Sequence, residues 1–471
     1  MSGSPLDGFR QIVGDRYFLT SEEDKENYVR DQRGRYDTNC RAVLRPSSVE
    51  EVSQIMALAS QHRIPVIPQG GNTGLVGAGI PLVEGGGEEV ILSLGRMNQI
   101  LDVCPQSNTM TVEAGAVLAD LQKAADDHDR LFPLSLGAQG SCQIGGNIGS
   151  NAGGTGVLAY GNTRELVMGL EVVLPDGRVW NGLSRLRKDN TGFDLKNLFV
   201  GAEGTLGVVT KAVLKLFPKP RGQEVAIAGL TSPENALSLL NLAQGRAGSA
   251  LTAFEFMAQI AMDFALQYMP DVKPPLQGNH PWSVLLEISS GRSAEQARSL
   301  MEEILADAFE QGLIEDATIS QSQAQQAAMW SLRENISPAQ KPHGASIKHD
   351  ISVPVADIPA FIEAADQAVL DLVPGARIVN FGHMGDGNLH YNISQPVGWE
   401  AEAFFEFEPS VHEAVYDAVT WFNGSISAEH GIGQMKRDKL ASIKDPVALA
   451  MMRQIKASLD PHGIMNPGKV I

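Results

Sequence analysis

The sequence predicts a multidomain protein of the α+β class, and three observations carry that expectation. Its 471 residues exceed what one ordinary hydrophobic core organises, so two or three domains are expected. From about residue 41 onward, short apolar runs alternate with helical periodicities. Composition then changes at Phe217-Pro-Lys-Pro-Arg-Gly-Gln223: glycine is dense before it, longer helical patterns follow it, and glycine returns near the C-terminus. The expected division is 1–220 for a first domain with its core at 36–218, 221–424 for a second, and 425–471 for a segment returning to the first.

Taken in order, a strand is expected over 41–45. Ser48 and Glu51 have capping-box spacing and open a helix whose apolar positions Val52, Ile55, Met56 and Ala59 repeat at helical intervals. A strand over 64–68 leads into a glycine cluster at Gly70. Strands at 90–94, 110–114 and 171–174 and a helix at 118–126 follow, and Pro175-Asp-Gly177 marks a turn. Beyond the boundary, helices at 233–244, 294–311 and 322–335 alternate with strands at 250–256, 283–287 and 346–353. No internal repeat is present.

Charge narrows the function classes. With 37 Lys+Arg against 55 Asp+Glu the chain carries −18, which disfavours nucleic acid and anionic membrane surfaces as partners. An anionic substrate would need a local basic island. The start, Met1-Ser-Gly-Ser-Pro-Leu-Asp7, has no basic and apolar leader pattern, and no apolar run reaches the length of a membrane span. Cys40, Cys104 and Cys142 are widely spaced and odd in number, which supports neither a disulfide framework nor a thiolate metal site. A reducing, cytoplasmic setting is the expectation.

Four glycine-rich segments stand out: Pro68-Gln-Gly-Gly-Asn-Thr-Gly74, Leu136-Gly-Ala-Gln-Gly-Ser-Cys-Gln-Ile-Gly-Gly-Asn147, Ser150-Asn-Ala-Gly-Gly154 and Gly201-Ala-Glu-Gly-Thr-Leu-Gly207. Glycine lets the backbone approach a ligand and turn its N–H groups toward phosphate oxygens. Any one of them alone reads more readily as a tight turn; four in one domain suit an extended ligand with a pyrophosphate. Gly154-Thr-Gly-Val-Leu-Ala159 fits a loose dinucleotide fingerprint, but no apolar strand precedes it, so it fails the context test.

Phe381-Gly-His-Met-Gly-Asp-Gly-Asn-Leu-His-Tyr-Asn392 holds the most informative pattern. Two strand-like runs, 376–381 and 389–393, flank Asp386-Gly387, a favoured two-residue hairpin turn. Counting outward pairs His383 with His390 on one face, shared by Asn392. Two such imidazoles can grip one divalent cation. Glu429, in Ser427-Ala-Glu-His-Gly-Ile-Gly433, could complete a His₂Glu set that suits zinc, with manganese or iron also admitted. A single histidine near a turn reads more readily as an ordinary polar residue; the pairing with a glycine-flanked Glu-His is what favours a metal. Arg333 and Ser337 sit four apart in helical sequence and Lys348 follows in a strand, so the three could hold a carboxylate. Read from spacing alone, the favoured alternative is that Arg333 pairs with Glu334 or another surface acid.

Together with Arg187-Lys-Asp-Asn-Thr-Gly192, Glu429-His-Gly-Ile-Gly-Gln-Met-Lys436 and the terminal Asn466-Pro-Gly-Lys-Val470, these motifs resemble the FAD-linked D-2-hydroxy-acid dehydrogenases of the vanillyl-alcohol-oxidase superfamily, and among them the hydroxyglutarate-oxidising members. The likeness runs from Asp31 to the C-terminus. It implies an FAD-binding domain of two α/β subdomains, a cap domain on an antiparallel sheet, and a C-terminal segment returning to the flavin. It assigns FAD contacts to Pro68, Gly70, Gly71, Asn72, Thr73, Gly74, Leu136, Gly137, Ser141, Gly145, Gly146, Asn151, Gly153, Gly154, Glu203, Gly207, Val208 and Asn466. The first glycine loop lacks the histidine that carries flavin covalently in some relatives, so non-covalent FAD is expected.

By the same likeness His383, His390 and Glu429 are metal ligands and His430 is the general base. Asn392 contacts the substrate's C1 carboxylate, and Arg333, Ser337 and Lys348 hold the far carboxylate. The implied reaction oxidises D-2-hydroxyglutarate to 2-oxoglutarate, with electrons passing to an electron-transfer flavoprotein, a quinone or a cytochrome. A homodimer is an assembly it allows. D-lactate or D-malate oxidation within the same family, a non-redox transferase of the alkyl-glycerone-phosphate synthase type, and a non-catalytic flavoprotein or metal-binding module are the rival readings.

Overall fold

The computed structural model describes residues 4–471; Met1–Gly3, which open the stretch read above as lacking a leader, lie outside the described residues. The chain forms two compact units. One comprises residues up to Gly153, Gly161–Lys219 and Glu429–Ile471, and the other Gly154–Tyr160 with Pro220–Ala428.

The first unit contains two sheets and a small ribbon. Strands β1 (Phe18–Leu19), β2 (Ala42–Leu44), β3 (Val66–Gln69) and β4 (Val90–Ser93) make a sheet of order β1-β2-β4-β3, parallel except at β1. The helix Val49–His62 links β2 to β3, as parallel neighbours require a crossover. Its start shows the expected cap, with Ser48 Oγ accepting from the Glu51 N–H, although the Glu51 carboxylate answers the N–H of Ser47. Val52, Ile55, Met56 and Ala59 are all fully buried in the core beneath this sheet.

Strands β5 (Ile100–Cys104), β6 (Thr109–Glu113), β8 (Val167–Val173), β9 (Val179–Gly182) and β10 (Val208–Lys215) form an antiparallel sheet of order β5-β6-β10-β8-β9. Strands β7 (Arg130–Leu131) and β11 (Phe217–Pro218) make the ribbon. The C-terminal segment returns to β3, where Val66 donates to Ile464 O and Asn466 donates to Val66 O, each at 2.8 Å. That pairing answers the exposed edge of β3.

The second unit is built on a seven-stranded antiparallel sheet. Its strands are β12 (Gly222–Leu230), β13 (Leu251–Ala258), β14 (Trp282–Ser290), β15 (Asp316–Ile319), β16 (Ser346–Ser352), β17 (Arg377–His383) and β18 (Asn388–Ser394), in the order β15-β12-β14-β13-β17-β18-β16. Alternation sorts the side chains by face. Phe254, Phe256, Ile347, Ile351, Leu389, Tyr391 and Ile393 point to one face, under Pro233–Ala247, Ala294–Glu310, Ile358–Leu372 and Glu408–Trp421. The other face is apolar at Val225, Ile227, Met257 and Leu285, packed by Gln259–Tyr268 and Gln323–Glu334. Toward β16 and β18 that same face turns polar. The short helix Val157–Tyr160 packs on β13, so Gly154, expected with the flavin residues, belongs to this unit instead.

The Tyr391 hydroxyl, on the apolar face, donates to Asp366 Oδ1 at 2.7 Å. Burial raises the Asp366 carboxyl to about 6, only partly opposed by that hydrogen bond. Its unfolded counterpart titrates near 3.9. The unfolded chain therefore binds fewer protons between about pH 4 and 6, and stability falls as pH rises through that window and stays lower above it. Asp366→Asn keeps the acceptor and removes the charge. The full gap would be worth about 3 kcal/mol, and partial exposure of the carboxyl reduces the expected gain to about 1 kcal/mol. Melting curves should show the variant above the parent by about 1–3 °C at pH 8 and no difference at pH 4.

Candidate active site

In the first unit a cleft opens beside the glycine loop that follows β3. Pro68, Gly70, Gly71, Asn72, Thr73 and Gly74 lie on its wall, as do Gly145, Gly146, Glu203, Gly207 and Val208. Gly71 must be glycine, because a Cβ there would fall 2.1 Å from the Ser141 carbonyl oxygen. Gly74 and Gly146 differ: a Cβ on either meets nothing within 4 Å. Gln143 Oε1 and Asn147 Oδ1, on residues of the same wall, are buried without a hydrogen-bond partner among the described residues. Orphan amide oxygens and uncovered glycines are what a bound polar group would satisfy and cover. The cleft fits FAD on this test.

Leu136, Gly137, Ser141, Asn151, Gly153 and Asn466 do not line the wall. Ser141 supplies the carbonyl over Gly71. Asn151 ends the helix Ile144–Ser150 in a left-handed conformation, and its Oδ1 accepts from the Arg164 N–H. Asn466 Nδ2 donates to Ala78 O at 3.0 Å and Glu203 O at 2.7 Å, tying the C-terminal segment down.

Glu203, expected only as a flavin contact, makes a connection in this region that the sequence reading did not foresee. Its two carboxylate oxygens accept main-chain N–H groups of Ile432 at 2.7 Å and Gly433 at 2.8 Å, and Gly431 packs directly against it. Burial pushes its carboxyl up, while the two N–H donors pull it back. The clamp holds the segment that carries Glu429 and His430, and His430 lies on the cleft wall. Glycine spacing marked the Glu203 loop but gave no sign of this contact, which spans over two hundred residues of sequence.

In the second unit the polar part of the sheet gathers the other expected residues. The hairpin turn is longer than the sequence suggested. Met384–Asp386 form a 3₁₀ turn, and Gly387 alone takes positive φ, +88°. A two-residue type I′ turn needs positive φ at both central positions, which Asp386 does not adopt. Its Oδ1 instead accepts the Asn388 N–H. His383 therefore stands opposite Asn388, and His390 opposite Phe381. The shift is two residues, so the face is preserved: the imidazoles are diagonal neighbours with ring centroids 5.5 Å apart. Asn392 and Lys348 oppose each other, as do His390 and Asp350, on that same face.

Arg333 and Ser337 do not share one helix. The first helix ends at Glu334 and a short turn, Ile336–Ala339, follows. Pro338 lacks the N–H that would have reached the Glu334 carbonyl. Arg333 is 6% exposed and Ser337 is exposed. Arg333 pairs with Glu255 rather than a surface acid, Nη2 lying 2.7 Å from Oε2, and its guanidinium sits 5.0 Å from the Phe381 ring centre. Its Nε and Nη2 make no well-aligned hydrogen bond among the described residues.

Glu255, on β13 opposite His383, escaped the sequence reading. Its Oε1 is 2.7 Å from His383 Nδ1. Burial alone would push this carboxyl up, but the His383 and Arg333 charges hold it below the usual carboxylate range. Glu287, half-buried on the next strand, shows the contrast. With the neutral donors Thr252 and Trp330 for partners, burial pushes its carboxyl up. Glu255 sits in the apolar run Leu251-Thr-Ala-Phe-Glu-Phe-Met-Ala258, and only its being a lone acid there could have drawn attention.

Comparison with known proteins settles the lineage. Residues 40–182 match the FAD binding domain family, and residues 219–470 match the C-terminal domain of FAD linked oxidases. D-2-hydroxyglutarate dehydrogenase, mitochondrial, of Arabidopsis thaliana is 38% identical over 98% of this chain and 80% of its own length. The Rattus norvegicus protein of the same name is 40% identical over 92% and 78%. D-2-hydroxyglutarate dehydrogenase of Stutzerimonas stutzeri is 38% identical over 99% and 98%. The chain belongs to the FAD-linked D-2-hydroxy-acid dehydrogenase family.

As a member of that family it is an FAD-dependent oxidoreductase acting on a CH–OH group. Its fold is the vanillyl-alcohol-oxidase type: p-cresol methylhydroxylase superposes with a TM-score of 0.78 at 17% identity, covering 99% of this chain and 96% of that one. A 4-ethylphenol oxidase from Gulosibacter chungangensis gives 0.76 at 20%, with the same coverage. Among the described residues no helix is long and apolar enough to cross a membrane.

Two glycine substitutions separate fold from flavin. Gly71→Ala forces the loop off the Ser141 carbonyl and should cost about 1–3 kcal/mol of stability, lowering the melting temperature as well as flavin content. Gly74→Ala should leave the flavin-stripped protein's melting unchanged yet reduce FAD retained through gel filtration, read from the flavin absorbance per protein.

Proposed function

We propose that the chain oxidises D-2-hydroxyglutarate to 2-oxoglutarate with non-covalently bound FAD and a divalent metal, zinc being the first choice and manganese or iron the alternatives. The observation that carries the substrate is the near full-length similarity, at 38–40% identity, to proteins named D-2-hydroxyglutarate dehydrogenase. The second unit adds physical support. Lys348, His383, His390 and Asn392 stand on one sheet face. Arg333 flanks that face with a buried Nε–H that has no hydrogen-bond partner among the described residues, and a guanidinium suits a carboxylate ligand in an acidic protein. The first glycine loop offers no histidine for a covalent flavin link.

When bound, FAD supplies the acceptor for the hydride on C2, and a cation held by His383, His390 and Glu429 supplies the charge that makes the substrate hydroxyl more acidic. His430 takes the hydroxyl proton; an imidazole with an ordinary pKa of about 6.5 suits that role. The Asn392 amide donates to the C1 carboxylate. Arg333, Lys348 and the Ser337 hydroxyl hold the far carboxylate. Electrons leave for an electron-transfer flavoprotein, a quinone or a cytochrome. The three unpaired cysteines support a reducing compartment, the cytoplasm.

Anaerobic bleaching of the flavin absorbance tests this directly. D-2-hydroxyglutarate should bleach it rapidly, D-malate and D-lactate more slowly, the L forms not at all, and a chelator should slow every reaction. Lys348→Ala should raise KM for D-2-hydroxyglutarate by about tenfold or more while leaving D-lactate nearly unaffected. Equal effects on both acids would remove the case for the dicarboxylate.

A further inference from the structure

Resting on the functional reading above, we propose that Glu255 is a positioning residue that couples the two ends of the substrate site, setting His383 with one carboxylate oxygen and Arg333 with the other. Backbone pairing puts Glu255 directly across from His383. Its Oε1 lies 2.7 Å from His383 Nδ1, and its Oε2 lies 2.7 Å from Arg333 Nη2. An ionised carboxylate can only accept, so the hydrogen of a neutral His383 sits on Nδ1 and the lone pair on Nε2. A neutral imidazole coordinates a cation through the nitrogen without the hydrogen. Glu255 thereby selects which nitrogen of His383 acts as ligand and fixes the ring plane.

Arg333 makes that selection affordable in so dry a place. Glu255 is 1% exposed, and once His383 gives up its charge, as a cation ligand must, the buried anion would have no counter-charge were Arg333 absent. The guanidinium on its second oxygen provides one. Arg333 therefore acts on His383 through Glu255, apart from any contact with the substrate's far carboxylate. A residue that merely held that carboxylate would have no effect on His383 or on metal affinity in the absence of substrate.

The test uses the full-length FAD-loaded protein without substrate. Selective ¹⁵N-histidine NMR on chelator-stripped protein reads the His383 tautomer, and titration with Zn²⁺ reads metal affinity. With the imidazole in its neutral form, parent protein should show His383 hydrogenated at Nδ1 and not at Nε2. Arg333→Met should broaden or redistribute that tautomer and weaken Zn²⁺ binding by about tenfold or more. Glu255→Leu combined with Arg333→Met removes the buried pair together, which spares the fold an orphan charge. It should keep its flavin spectrum and melting temperature while losing the tautomer and the Zn²⁺ affinity. A parental tautomer and parental Zn²⁺ affinity in the double variant would overturn the proposal. Failure of D-2-hydroxyglutarate to bleach the parent flavin would instead overturn the substrate reading, and the metal-free tautomer measurement would still decide the role of Glu255.

Discussion

A carboxylate taken out of water must have its oxygens answered, and each unit of this protein is organised around one that is. Glu203 meets the demand with two main-chain N–H groups, from Ile432 and Gly433. Glu255 meets it with an imidazole and a guanidinium. Because an unanswered buried anion is so costly, these partners hardly have freedom to move. The C-terminal segment bearing His430 is held in the first unit, and the ring of His383 is held in the second.

Core and site come from the same alternation. Along β16 and β18 the residues Ile347, Ile351, Leu389, Tyr391 and Ile393 bury one face. Their neighbours Lys348, Asp350, His390 and Asn392 fall on the other by the pleat alone. A substitution that slipped the register by one residue would therefore lose the core and the site together. The first unit uses a different device. Gly71 lets the loop pass under the Ser141 carbonyl, while Gly74 and Gly146 leave backbone uncovered beside the cleft. The same residue type serves packing in one position and ligand access in the other.

Errors in the sequence reading have local causes. Asp386-Gly387 signals a tight turn, but whether one or both residues take positive φ depends on what the strands on either side pair with, and here only Gly387 does. The pair His383 and His390 survived because the discrepancy was an even number of residues. The glycine-rich run gave no sign that the chain from Gly154 to Tyr160 groups with the second unit, where its short helix packs on β13. Arg333 and Ser337 had helical spacing until Pro338 broke the backbone ladder between them.

What the sequence determined by itself was whatever rests on short-range regularity: the apolar period of the helix at Val49–His62, the alternation along the strands, the glycine loops, and the histidines on one face of a hairpin. The motif likeness added the family and its cofactor. Tertiary structure alone decided which distant groups answer which buried charges. Nothing near Glu203 in sequence points to Ile432, and nothing near Glu255 points to His383 or Arg333. Such pairs are chosen by desolvation once the chain has closed around them, and that cost is not written in the spacing of residues along it.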